Sequence, residues 1–325
     1  MPGADRPTGI FSGVLNRLDL RDRSGDDLTR GLPRPDPGGD GPVAAVQAIV
    51  ADVRARGDEA VREYTERFDG VTAATSRVPD ADLAAALAAI PDDLRRALTS
   101  AADAVRAFHE AQVRPEHSFR RHGVTVRGRS VPVDRAGCYV PGGRGAYPSS
   151  VLMTVVPARV AGVPEVVLCV PPDRDTGRVA DSTLAAAAIA GVDEVHAVGG
   201  AQAVAAMAYG TETIGAVDVI AGPGNVYVAL AKREVAGQVG VPMAFAGPSE
   251  VVVVADATAP VDYVAIDLMV QAEHGPDGLA WLITWDPDVA DAVDAALDRL
   301  LVDAPRAAEI PVSYTHLTLP TIYSV

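Results

Sequence analysis

The sequence predicts an α/β fold of two lobes, each a parallel sheet with helices on both faces. Two observations carry this. From Val131 onward, short apolar runs alternate with Ala-rich stretches of helical period, the signature of successive βαβ units. Within that pattern Val251-Val252-Val253-Val254-Ala255 is an unbroken β-branched run, of the kind that is covered on both faces.

The elements follow in order. Residues 1–42 form an N-terminal arm. Its Leu32–Pro42 segment is too dense in Pro, Gly and Asp for a regular element. Helices are expected at Val43–Arg56, Asp58–Phe68, Asp80–Ile90 and Pro91–Gln112, with Asp58 capping the second and Asp69-Gly70 ending it. Arg114–Arg129 is basic and reads as irregular, which leaves His117 and His122 exposed. His109 reads as a surface or interface residue. Strands are expected at Gly137–Val140, Glu165–Val170, Glu194–Val198, Val217–Ile220, Val251–Ala255 and Leu279–Thr284. Helices are expected at Ser150–Gly162, Val179–Gly191, Gly200–Tyr209, Asn225–Gly237, Val261–His274 and Asp288–Asp303. The early helical block holds no strong strand. Residues 43–130 are therefore joined to 249–310 as one discontinuous lobe, with 131–248 as the other.

Composition narrows the function. A formal charge of −15 on 325 residues argues against a nucleic-acid partner, since phosphate binding wants a basic face. Lys232 is the single lysine. The two cysteines, Cys138 and Cys169, fall in or beside strands and read as small hydrophobes, not as a disulfide framework. There is no signal-peptide core and no apolar run of the ~18 residues that read as a membrane span. A cytoplasmic protein is expected.

Open α/β sheets bind ligands at the loops that follow their strands. Tyr139-Val140-Pro141-Gly142-Gly143 and Gly222-Pro223-Gly224-Asn225 both sit there, and each reads either as a close backbone approach to a cofactor or as a tight turn. The dinucleotide fingerprint G-x-G-x-x-G is absent, so the lobes are Rossmann-like without the usual phosphate loop. Gln202 reads as a polar residue at a helix start and Ser249 as a cap or turn. His196 reads as a packed strand residue. Gln271 and His274, three apart at a helix end, share one face, beside the negative pole of the helix dipole. Alone, that pair reads as a hydrogen-bonded polar cluster, since zinc wants three or four ligands.

Taken together, the ordered segments Arg56-Gly57-Asp58-Glu59-Ala60, Tyr139–Gly143, Gly200-Ala201-Gln202-Ala203, Gly222–Asn225, Gly247-Pro248-Ser249-Glu250 and Gln271-Ala272-Glu273-His274-Gly275-Pro276-Asp277 resemble the histidinol dehydrogenase family over about residues 15–310. The resemblance implies oxidation of L-histidinol to L-histidine through a bound aldehyde, with Zn2+ and two NAD. It implies NAD contacts at Tyr139, Gln202 and Asn225, substrate contacts at Ser249, Gln271 and His274, and zinc ligation by Gln271 and His274. It also implies a homodimer in the full-length form. The family's catalytic Glu–His pair and its two further zinc ligands have no match here. The expectation is therefore a truncated chain, inactive alone, with poor metal retention. Residues 311–325, uncharged from Val312 on, resemble a translated sequencing adapter and read as a non-native tail. A related zinc and NAD alcohol dehydrogenase such as sulfopropanediol dehydrogenase, or a non-catalytic nucleotide-binding remnant, are the alternatives.

Overall fold

The computed structural model describes residues 15–19, 41–142, 145–243, 250–272, 279–304 and 314–319. Its contacts divide the chain into two units, 38–246 and 1–37 with 247–325.

The chain begins its described part with β1 (Asn16–Asp19), which belongs to the second of these units. Four helices follow: α1 (Gly41–Arg56), α2 (Asp58–Asp69), α3 (Asp80–Ala89) and α4 (Asp92–Glu110). Asp58 does not cap α2. Gly57 holds the cap position, and the Asp58 carboxylate accepts from Thr213 Oγ1 at 3.0 Å. The stretch read as irregular is an antiparallel hairpin, β2 (His117–Arg121) and β3 (Val124–Gly128). The expected alternation then appears as β4 (Arg135–Tyr139), α5 (Pro148–Val160), β5 (Glu165–Val170), α6 (Asp181–Ala190), β6 (Glu194–Ala197), α7 (Gly200–Tyr209), β7 (Val219–Ala221) and α8 (Val226–Val235).

The strands β4 to β7 make a parallel sheet in the order β6-β5-β4-β7. Alternate residues face opposite sides, so neighbours in one strand serve different cores. Tyr139, Val167, Cys169 and Ile220 pack with α1, α2, α7 and α8. Ala136, Cys138, Val166, Leu168 and Val170 pack with α3, α4, α5 and α6. This corrects the expected lobes: residues 43–110 supply outer helices of this sheet and fall in one unit with 131–246, while 249–310 fall in the other. The sheet has four strands and two faces to cover, and its own crossover helices leave room that α1 to α4 fill. Both edges are also closed. Ala197 N–H donates to Ser76 O at 2.7 Å beside β6, and Ile220 N–H donates to Gly240 O at 2.8 Å beside β7.

In the other unit β8 (Glu250–Val254), α9 (Val261–Ala272), β9 (Leu279–Ile283), α10 (Pro287–Leu301) and β10 (Tyr314–Leu319) complete a parallel sheet, ordered β1-β10-β9-β8. Residues read as part of an arm (β1) and of a foreign tail (β10) are thus paired strands, in register Asn16↔His316 and Tyr314↔Leu279. Ala265, Leu268, Ala280, Leu282, Val293 and Leu297 form the core against α9 and α10. Contrary to expectation, β8 is covered on one face: Val251 and Val253 pack on that core, while Val252 and Val254 are 54% and 62% exposed. Among the described residues no helix is long and apolar enough to cross a membrane.

Candidate functional site

Strand order fixes where a ligand can sit in the sheet of residues 38–246. The chain steps outward from β4 to β5 to β6, then returns to place β7 on the far side of β4. The loops after β4 and β7 therefore diverge at their carboxyl ends, which opens a crevice at a topological switch point. Tyr139 ends β4, Gly222–Asn225 follows β7, and Gln202 stands in the first turn of α7 after β6. Three sequence-predicted residues thus lie on one edge of one sheet.

Their side chains are held differently. The Tyr139 hydroxyl is buried and accepts from Gly200 N–H at 3.1 Å, which ties the end of β4 to the start of α7. Burial pushes its pKa well up, so it stays a neutral phenol. Gln202 is 1% exposed, and among the described residues neither its Oε1 nor its Nε2 has a hydrogen-bond partner. A buried carboxamide left unpaired costs about 1–3 kcal/mol, so such a group signals a missing ligand or water. Asn225 is exposed and caps α8, its Oδ1 accepting from Val228 N–H at 3.1 Å. That leaves its amide N–H2 for another acceptor.

The loop after β7 is fixed by backbone and by one cation. Gly222 has φ +109, and a Cβ there would stand 2.0 Å from Tyr139 O. No other residue fits that approach. Lys232, 3% exposed on α8, donates from Nζ to Gly222 O. Burial lowers its pKa to about 8. Sequence reasoning noted Lys232 only as a compositional oddity. It missed Asp69, read as a helix terminator, whose Oδ2 is buried without a partner and whose pKa is raised by that burial. Its negative charge also helps to raise the Tyr139 pKa. A cleft of about 170 Å3, lined by Pro141, Gly142, Val170, Pro171, Asp173 and Thr183 among others, lies along the ends of β4 and β5. It is smaller than the ~300–1,000 Å3 of a typical ligand pocket, and Tyr139, Gln202 and Asn225 are not among its lining residues.

The remaining predicted residues are in the other unit. Gln271 is buried in the last turn of α9. Ser249 and His274 lie outside the described residues, so the expected Gln271–His274 pairing does too. Among the described residues no group of three or more His, Cys, Asp or Glu side chains is placed to hold a metal. His196 is a core residue, as expected. Its Nδ1 lies 3.0 Å from Ser76 Oγ and its Nε2 lies 3.3 Å from Glu194 Oε2. Burial lowers its pKa and Glu194 partly restores it. Cys138 and Cys169 are buried on opposite faces, and burial raises both thiols, Cys138 to about 12. Both are inert packing groups.

These features define a doubly wound α/β protein with polar side chains gathered at its switch point. Comparison with known proteins gives the family. The histidinol dehydrogenase family model matches residues 35–322, and the chain belongs to that family. The match runs beyond Ile310, into the stretch that the sequence alone sets apart. Histidinol dehydrogenase of Pseudomonas savastanoi pv. phaseolicola is 51% identical over 269 residues, 82% of this chain and 59% of that protein. The enzyme of Bordetella parapertussis is 48% identical over 308 residues, 92% of this chain and 69% of that protein. A crystal structure of histidinol dehydrogenase from Elizabethkingia anophelis superposes with TM-score 0.85 at 31% identity, covering 95% of this chain and 72% of that one. The chain thus spans about three-fifths of the length of the first of these relatives.

Proposed function

We propose that this chain binds NAD at the carboxyl edge of the β4–β7 sheet, and that it belongs to an enzyme oxidising L-histidinol to L-histidine through a bound aldehyde, the last step of histidine biosynthesis. Two NAD are consumed per turnover, Zn2+ is the resident metal, and the working form is a cytoplasmic homodimer. Tyr139, Gln202 and Asn225 are the NAD contacts in this reading; Ser249, Gln271 and His274 touch the amino alcohol, and Gln271 and His274 also ligate zinc. The observation that carries the cofactor part is the buried Gln202 carboxamide with both polar atoms unpaired. It sits on the edge where Gly222 lets the loop after β7 pack closely against the Tyr139 backbone.

The residues present fit NAD. Bound there, NAD supplies a hydride acceptor. The chain's own part is binding and alignment. Gln202 offers a donor and an acceptor from a buried position. Tyr139 fixes the start of α7, which carries Gln202, and Lys232 fixes the loop that carries Asn225. Such positioning contributes to rate by orienting the reactants. For zinc the described residues supply one donor, Gln271, against the three or four that zinc takes. No step is therefore routed through the metal.

Titration of the chain with NAD by isothermal calorimetry tests the reading. Saturable 1:1 binding is expected. Absence of heat at millimolar NAD, from protein that unfolds cooperatively, would contradict it.

A further inference from the structure

The unpaired carboxamide of Gln202 has a counterpart on a neighbouring helix. Asp69 is the last residue of α2, and α2 packs on α7. Its Oδ2 is buried and has no hydrogen-bond partner among the described residues. Folding gives little reason for an acid there. Gly70 turns the chain out of the helix at φ 71°, its N–H donating to Glu66 O at 3.0 Å. The Asp69 carboxylate therefore stands at the negative pole of its own helix, where acidic groups are unfavourable. Burial raises its pKa, and Arg174 only partly opposes that. A charged group that is half-buried, unpaired at one oxygen and wrongly placed on its helix calls for a ligand or water.

Contacts carry this group to the carboxyl edge of the sheet. Arg174, in the loop after β5, donates to Phe68 O at 2.8 Å and so ties the end of α2 to that edge. Asp69 is near enough to Tyr139 for its charge to hinder ionisation of the phenol. Tyr139 Oη accepts from Gly200 N–H at 3.1 Å, which leaves the phenol's own proton to donate. Gly200 in turn makes room for Gln202: it has φ +66, and a Cβ there would stand 2.6 Å from Gln202 Oε1. An acceptor, a donor and a group that is both thus lie along one edge. An anion would be repelled by Asp69, and a cation has no use for the phenol proton. A sugar hydroxyl both accepts and donates, which matches the set. Acidic side chains hold a nucleotide ribose in this way in other α/β folds.

We propose that Asp69 is a further cofactor-binding residue, whose carboxylate accepts from a ribose hydroxyl of the dinucleotide beside Tyr139 and Gln202. This rests on the NAD site of the proposed function and adds the group that recognises its sugar.

Calorimetric titration of the wild type and Asp69→Asn with NAD, beside their unfolding temperatures without ligand, tests the role of Asp69. The sign of the change decides. NAD carries a negative pyrophosphate, so a nearby carboxylate that makes no bond to it repels it, and removing that charge would tighten binding or leave it unaltered. An acceptor predicts the reverse: Asp69→Asn should weaken NAD about 10-fold or more, with the unfolding temperature equal to or above that of the wild type. NAD analogues that each lack one ribose hydroxyl test the same contact from the ligand's side and need no variant. One of them should bind the wild type about 10-fold more weakly than NAD, and Asp69→Asn should bind NAD and that analogue alike. NAD bound by Asp69→Asn as tightly as by the wild type, or more tightly, would overturn the role of Asp69 and leave the NAD site standing. Analogues that all bind the wild type as NAD does would do the same. A wild type that binds no NAD would overturn both.

Discussion

The two parallel sheets among the described residues are built from similar strands and are covered differently. In β5, Val166 to Val170 are buried on both faces by two helical layers. In β8, a run still richer in valine, Val251 and Val253 are packed while Val252 and Val254 lie in the open. A valine run therefore specifies a strand, not the number of layers around it. The difference also bears on function. The fully enclosed sheet is rigid enough to hold Gln202 buried and unpaired, since its surroundings cannot collapse onto the group.

Substitutions at matched strand positions sharpen that contrast most. Leu168→Ala, in the enclosed sheet, should cost about 2–5 kcal/mol in denaturant unfolding, whereas Val252→Thr should stay within about 0.5 kcal/mol. Equal costs would mean that β8 is covered on its second face as well. A smaller effect separates the enclosed cation from its body. Lys232 titrates at about 8 in the fold against 10.5 for an ordinary lysine. Between these values the unfolded chain binds more protons, so this group's contribution to stability rises with pH. The raised thiols and Tyr139 work the other way above their own ordinary values; Cys169 and Tyr139 cancel in the difference between wild type and variant, and Cys138, which Lys232 holds slightly lower, cancels in large part. The stability of wild type minus Lys232→Met should therefore climb from pH 8 to 10.5. A flat difference would show an ordinary, solvated ammonium. The smallest effect concerns His196, whose pKa is lowered by burial from 6.5. Its stabilisation is present above pH 6.5 and is lost as pH falls through the lower folded value. His196→Asn should then lose less stability than wild type between pH 7 and 5 in urea titrations.

Much of the enclosed sheet was legible in the sequence, because β4 to β7 and their helices each carry a complete local signal. The carboxyl edge was legible too, since Tyr139 and the Gly222–Asn225 loop directly follow strands. What covers the sheet was not. Helices α1 to α4 have apolar faces that state a need for burial without naming the surface that meets it. The hairpin escaped because Arg120, Arg121 and Arg127 dilute its apolar alternation, and His122-Gly123, the turn signal, was read as part of a basic loop. The state of Gln202 was also hidden. Polar residues are ordinary in a first helical turn, and only the packing of the fold around it buries this one. Asp69 shows the same gap, its helix-ending role masking an unpaired buried oxygen.

Gln202 offers the most direct measurement. The unfolding temperature and the NAD affinity of Gln202→Leu should be taken together on the full chain. A site kept for a ligand predicts opposite signs: higher stability without NAD, because an unpaired carboxamide worth about 1–3 kcal/mol is gone, and NAD binding weakened about 10-fold or more. A variant that is less stable and binds NAD as the wild type does would show Gln202 to be a packing residue and remove the basis for a cofactor at this edge.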